Sequence, residues 1–202
     1  MENITINTQS SIKIGNIYFD PFKIENEYHD ASLIFITHSH YDHFDLDSIN
    51  KVKNDKTIII IPDDDEIKSK LDNYNIVLPN NTYNFNNIII NTIPSYNTNK
   101  KFHPRENNWL GYIVTINNET YYVMGDSDIT DEAKLVHCDY LFIPIGGTYT
   151  MDYREASELT NIIKPKIVFP IHFGSIVGDK EDYNKFKDLV NTDIEVINKL
   201  FN

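Results

Sequence analysis

Apolar residues recur along the chain in short runs rich in Ile, Val, Tyr and Phe, separated by polar clusters. Runs of this length and composition read as strands. Ile12–Ile14 and Ile17–Phe19 flank Gly15-Asn16 and predict a hairpin. Leu33–Ile36, Thr57–Ile61 and Ile88–Ile93 predict buried strands, the last two stopped by Pro62 and Pro94. The stretch "GYIVTINNETYYVM" predicts a second hairpin turning at Asn117-Asn118, and Tyr140–Ile143 and Ile167–Ile171 predict two further strands. Helical patterns fall at 45–52, 63–71, 130–136, 152–163 and 181–190. The clearest is 152–163, where Ala156, Leu159, Ile162 and Ile163 share a face and Pro165 ends the element. Hairpins with helices interspersed later predict a mixed α/β layered fold. No linker or repeat interrupts the pattern, so residues 1–202 read as a single domain.

Composition changes this picture little. The hydrophobic fraction is 41% and aromatics are 12%, which is ordinary for a chain that buries a core. Charge changes it more. With 18 Lys+Arg against 30 Asp+Glu, the net charge of -12 repels nucleic acid and anionic membrane. A small-molecule substrate is expected instead, and the oligomeric state is left open. Cys138 is the single cysteine, so no intrachain disulfide forms; it reads as a small buried residue. The first ten residues lack a basic stretch before an apolar core, and no apolar run approaches the ~18 residues of a membrane span. A cytoplasmic protein is expected.

The chemistry lies in the polar clusters that follow strands. "THSHYDHFD" after Leu33–Ile36 places His38, His40, Asp42 and His43 within six positions. In extended backbone, residues two apart project to one side, so His38, His40 and Asp42 can converge while His43 points elsewhere, toward a neighbouring ion. Imidazole and carboxylate suit zinc, and also manganese or iron. Further clusters follow other strands: Ser95, Tyr96 and Asn97 with His103 beyond, Gly125-Asp126-Ser127-Asp128, Gly146-Gly147-Thr148-Tyr149, and His172 with Gly174-Ser175. Five such clusters predict one polar rim at the strands' C-terminal ends. Asp45 reads as the cap of the helix after it.

Together these motifs resemble the metallo-β-lactamase-fold hydrolases. "THSHYDH" matches that family's His-x-His-x-Asp-His signature, "YYVMGDSD" resembles its Gly-Asp motif, and "FPIHFGS" resembles its last ligand histidine. "GDSDIT", "PIGGTYTMDYREA" and "PIHFGSI" are most similar to the small single-domain branch around the ascorbate-phosphate lactonase and N-acyl-phosphatidylethanolamine phospholipase D groups. The resemblance implies an αββα sandwich and two divalent ions, zinc first and manganese or iron as alternatives. His38, His40 and His103 would hold one ion and Asp42, His43 and His172 the other, with Asp126 between them. A metal-activated water would attack a small ester, lactone or phosphodiester, and Asp42 would orient it and pass its proton on. A metal-binding module without catalysis and a di-iron redox protein are the other readings. One departure is visible: where the family carries its third-motif His, this chain has Asn97. His103 is preferred as the replacement, against weak ligation by Asn97 or a site with fewer ligands. Asn97, Arg105, Trp109, Tyr149 and Ser175 are candidates for the substrate pocket.

Overall fold

A computed structural model describes residues 3–200; the outermost residues of the expected 1–202 domain, 1–2 and 201–202, lie outside the described residues. The alternation of apolar side chains is resolved into two sheets. In the first, β1 (Ile4–Ile6), β2 (Ile12–Ile14), β3 (Ile17–Phe19), β4 (Leu33–Phe35), β5 (Ile58–Ile61) and β6 (Asn75–Ile76) lie in sequence order. The first three strands are antiparallel neighbours, and β3 to β6 run parallel. In the second, β7 (Thr82–Phe85), β8 (Ile88–Pro94), β9 (Leu110–Ile116) and β10 (Glu119–Val123) form an antiparallel meander. Strands β11 (Tyr140–Pro144), β12 (Ile167–Ile171) and β13 (Glu195–Val196) then continue it in parallel.

Strand period two sends alternate side chains to opposite faces. Leu33 and Phe35 enter the core between the sheets, with Phe19, Tyr112, Tyr121, Phe142 and Phe169. Ile34 and Ile36 face outward, against Ile49 and Val52 of α1 (Leu46–Val52) and Ile67 of α2 (Asp65–Lys68). On the far side, Leu141, Ile143 and Val168 pack against α3 (Asp131–Lys134), α4 (Tyr153–Ile163) and α5 (Asp182–Leu189). The layers are therefore helix, sheet, sheet, helix, the αββα sandwich expected from the sequence. Phe35 ties the sheets together: its ring lies 4.8 Å from Phe19 in its own sheet and 5.0 Å from Tyr112 in the other.

Local chemistry sets the element ends. Asp45 caps α1 as expected, its carboxylate accepting from the Asp47 N–H. Asp64 caps α2 by accepting from Glu66 and Ile67, so this helix starts later than the expected 63–71; it also ends sooner, at Lys68. Helix α3 is shortened likewise by its Thr130 cap. A capping box between Asp152 and Glu155 opens α4. Its buried face is Ala156, Leu159, Thr160 and Ile163; Ile162, expected among them, is exposed. Asn117 and Asn118 both take positive φ, 51° and 65°, as a two-residue hairpin turn of this hand requires. Cys138 is half-buried, and loss of solvent pushes its thiol up to about 12.

Candidate metal centre

The polar clusters after β4, β8, β10, β11 and β12 meet along one edge of the sandwich. Gly125 lets them approach: its φ is 68°, and a Cβ there would lie 3.1 Å from the Leu110 carbonyl and 3.2 Å from both Ser95 Oγ and Thr37 Cβ. The next residue, Asp126, is thereby placed among three histidines. Its Oδ1 is 3.3 Å from His43 Nε2, and its Oδ2 is 3.4 Å from His103 Nε2 and 3.2 Å from His172 Nε2. His38 Nε2 and His40 Nδ1 lie 3.0 Å apart. Asp42 Oδ2 lies 3.3 Å from His172 Nε2.

Three overlapping groups emerge, each with ligand atoms within 4.8 Å of one another: His38, His40 and His103; His38, His43 and Asp126; and Asp42, His43 and His172. All but His40 are buried. Four atoms pointing into this space, His43 Nε2, His103 Nε2, His172 Nε2 and Asp126 Oδ1, lack any hydrogen-bond partner. Buried polar atoms without partners are costly. A divalent cation accepts lone pairs from all such groups at once, so the donor set fits metal.

Electrostatics agree with this crowding. Burial pushes His38 well below the ordinary imidazole range, and His43 beside it pushes the same way. Burial also disfavours a charged His43, yet Asp126 and Asp20 hold it well above its ordinary value. Burial would raise Asp126, but His172 and His43 carry it well below the usual carboxylate range.

The surrounding hydrogen bonds orient the rings. Asp20, which ends β3 and was not singled out from the sequence, is fully buried. Its Oδ1 accepts from the Thr37 N–H at 2.8 Å; its Oδ2 accepts from Thr37 Oγ1 at 2.6 Å and meets His43 Nδ1 at 2.7 Å. A carboxylate only accepts, so Nδ1 carries the proton in the neutral His43 ring that a metal would select, and Nε2 is left to turn a lone pair toward the cluster.

Asn97 does the same for His103. Its Nδ2 donates to the Tyr149 carbonyl at 2.9 Å, and its Oδ1 accepts from the His103 backbone N–H at 3.0 Å. With the amide so fixed, Oδ1 faces His103 Nδ1 at 3.1 Å as an acceptor, which leaves Nε2 bare. Asn97 thus stands behind the cluster, and His103 enters it. Asn97→Ala is expected to weaken metal binding at the His103 group by about 10- to 100-fold. Chelator competition measures this; equal affinity for the Ala variant would sink the assignment.

Of the five side chains expected in the substrate pocket, Tyr149 alone lines the cleft at the cluster, a space of about 240 Å³. Asn97 lies behind it, as above. Trp109 packs its ring against His38, His40 and His103 at 4.9, 5.0 and 5.6 Å and donates Nε1–H to Asp64. Arg105 pairs with Glu132 and stacks on Tyr96. Ser175 donates to Gln9. The cleft instead gains Tyr41, Phe102 and Ile176, which the sequence reading passed over.

A two-sheet sandwich with a His/Asp cluster at one edge defines a class, the metal-dependent hydrolases of the metallo-β-lactamase fold. A family profile described as the beta-lactamase superfamily domain matches residues 10–172, and the chain belongs to that superfamily. It is similar to a UPF0173 metal-dependent hydrolase of Pyrococcus horikoshii, 27% identical over 90% of this chain and 87% of the relative. A UPF0173 metal-dependent hydrolase of Nanoarchaeum equitans is 30% identical over 78% of this chain and 77% of its own length. Among solved structures, a Parabacteroides distasonis protein taken to be a metal-dependent hydrolase superposes with a TM-score of 0.83 at 28% identity, covering 98% of this chain and 92% of that one. The protein is a metal-dependent hydrolase of this superfamily. No helix among the described residues is long and apolar enough to cross a membrane.

Proposed function

We propose that the protein is a dinuclear zinc hydrolase of a small ester, lactone or phosphodiester. The observation that carries this reading is the set of four buried, unpartnered nitrogen and oxygen atoms aimed into one space by separate chain segments. His38, His40 and His103 would hold one ion, Asp42, His43 and His172 the second, and Asp126 would serve both. Five imidazoles and two carboxylates without a thiolate suit zinc, and admit manganese or iron. Divalent ions held there supply Lewis acidity, which makes water nucleophilic near neutral pH and polarises the scissile acyl or phosphoryl oxygen.

The remaining work falls to the chain itself. Asp42 borders the cleft and is nearly buried, with its Oδ2 against His172. Burial would raise its carboxyl, but His172 against it and the nearby His43 carry it below the usual range. As an anion at the cleft wall it orients the attacking water, accepts its proton and passes that proton to the leaving group. Trp109 closes the back of the His38, His40 and His103 group and keeps bulk water from those rings.

Elemental analysis of the purified protein is expected to give two zinc ions per chain. Dialysis against a chelator should abolish turnover across an ester, lactone and phosphodiester panel, and zinc should restore it. Full activity of metal-free protein, or one ion per chain at full activity, would overturn the reading.

A further inference from the structure

The mouth of the cleft differs in character from its floor. Eleven large apolar side chains are exposed among the described residues, and four of them, Tyr41, Phe102, Tyr149 and Ile176, line this one cleft. Scattered exposed apolar residues need no explanation, but convergence on a reactive floor marks a contact surface. Phe102 and Tyr149 form a perpendicular pair, ring centroids 4.7 Å apart and planes at 89°. The wall is tied to the metal-ligand loop: Phe102 precedes His103 in the chain, and the Asn97 amide that orients His103 also holds the Tyr149 carbonyl. Ile176 comes from a different segment, the one after His172.

Cations are missing from this lining. No Lys or Arg is among its described residues. Two cations close in sequence to Phe102 and His103 are committed elsewhere: Lys100 to the buried Asp128 and Arg105 to Glu132. Lys101 is exposed and outside the lining. A site that recognised a phosphate or carboxylate on the non-reacting part of its substrate needs such donors. The size is also informative, because about 240 Å³ falls below the ~300–1,000 Å³ of sites for drug-sized ligands.

We infer that the non-reacting part of the substrate is uncharged and apolar, about one aromatic ring or a short acyl chain in size, and packs between the Phe102–Tyr149 pair and Ile176. The inference rests on the hydrolase reading and narrows its substrate class to small apolar esters or lactones.

Three hydroxamates test it independently of turnover, because each anchors on metal and presents a different group to the mouth. Calorimetry on the zinc-loaded protein should show benzohydroxamate binding at least about tenfold tighter than acetohydroxamate, from apolar burial and ring packing. A 4-carboxyl group on the ring should erase that gain. Tyr149→Ala and Ile176→Ala, both at exposed positions, should each reduce the preference while zinc content stays at the parent level. Equal binding of the first two compounds, a preference for the carboxylated one, or an unchanged preference in both variants would overturn the inference. Binding by none of the three would remove the metal reading and this one with it. If the aryl preference holds while no ester, lactone or phosphodiester is turned over, the apolar mouth stands and the hydrolytic proposal for this site falls.

Discussion

Asp126→Asn is expected to keep the fold and lose the metal. Asp126 is nearly buried and touches His43, His103 and His172 through its two oxygens. The other carboxylate of the cluster, Asp42, meets only His43 and His172. The substitution keeps shape and volume, and the Ser95 hydroxyl, which donates to the Asp126 backbone carbonyl, is not disturbed. What changes is charge. A neutral amide presents one oxygen and one N–H₂ group, and the N–H₂ end faces imidazole lone pairs without ligating anything. On the proposed two-ion reading, loss of the anionic ligand that would serve both ions removes several kcal/mol of Lewis-acid stabilisation, so turnover should fall on the order of 10³-fold or more. Metal content should drop below one ion per chain after gel filtration. Thermal unfolding of the metal-free parent and variant should agree within a few degrees, because the variant no longer buries an ion. A variant that retains two ions and activity within tenfold of the parent would refute the bridging role.

The parts of this site that were legible in the sequence are those whose donors lie close together along the chain. "THSHYDH" could be read because four donors share one short segment, but the alternation expected of extended backbone does not hold: residues 39–43 bend and turn, so Asp42 joins His43 and His172 rather than His38 and His40, and His43 also meets His38. The outer layers were legible for a similar reason, since strand period and helix caps are local properties. Hairpin β7–β8 was not read, although it turns on Asn86-Asn87 with φ of 53° and 64°, the same device as Asn117-Asn118. Its strand β7 is polar and exposed on alternate positions, so it carries no apolar run to draw attention. Strands β6 and β13 are two residues each and owe their assignment to their neighbours. Side chains in loops show the limit most clearly. Trp109, Arg105 and Ser175 have chemistry suited to a pocket, yet their partners are Asp64, Glu132 and Gln9, residues 45, 27 and 166 positions away. Periodicity says nothing about such pairings, which arise only when the sheets stack. Phe102 and Ile176 were overlooked for the converse reason: an apolar residue in a loop has no pattern that distinguishes a binding wall from chance.

Asp20 shows what a lone carboxylate can conceal, and its substitution should separate folding from metal binding. In sequence, Asp20-Pro21 after a strand reads as an ordinary turn. In the structure its carboxylate is wholly buried, fixes Thr37 through two hydrogen bonds and sets the His43 tautomer. Asp20→Ala strips a buried, paired charge and orphans the Thr37 N–H, so it should destabilise the protein by about 3–5 kcal/mol. Denaturant unfolding of the metal-free protein measures that. Asp20→Asn is the sharper experiment. The amide oxygen still accepts from the Thr37 N–H, and the amide N–H₂ can donate to Thr37 Oγ1 and to His43 Nδ1. Donation to Nδ1 moves the ring proton to Nε2, the atom that faces Asp126 and the metal cluster. A protonated Nε2 has no lone pair to give. The fold should therefore survive, while affinity at the Asp42, His43 and His172 group falls about 10- to 100-fold. Nitrogen-15 shifts of His43 should report the exchanged tautomer directly. Unchanged metal affinity with the tautomer exchanged would exclude His43 as a ligand, and an unchanged tautomer would exclude Asp20 as the group that sets it.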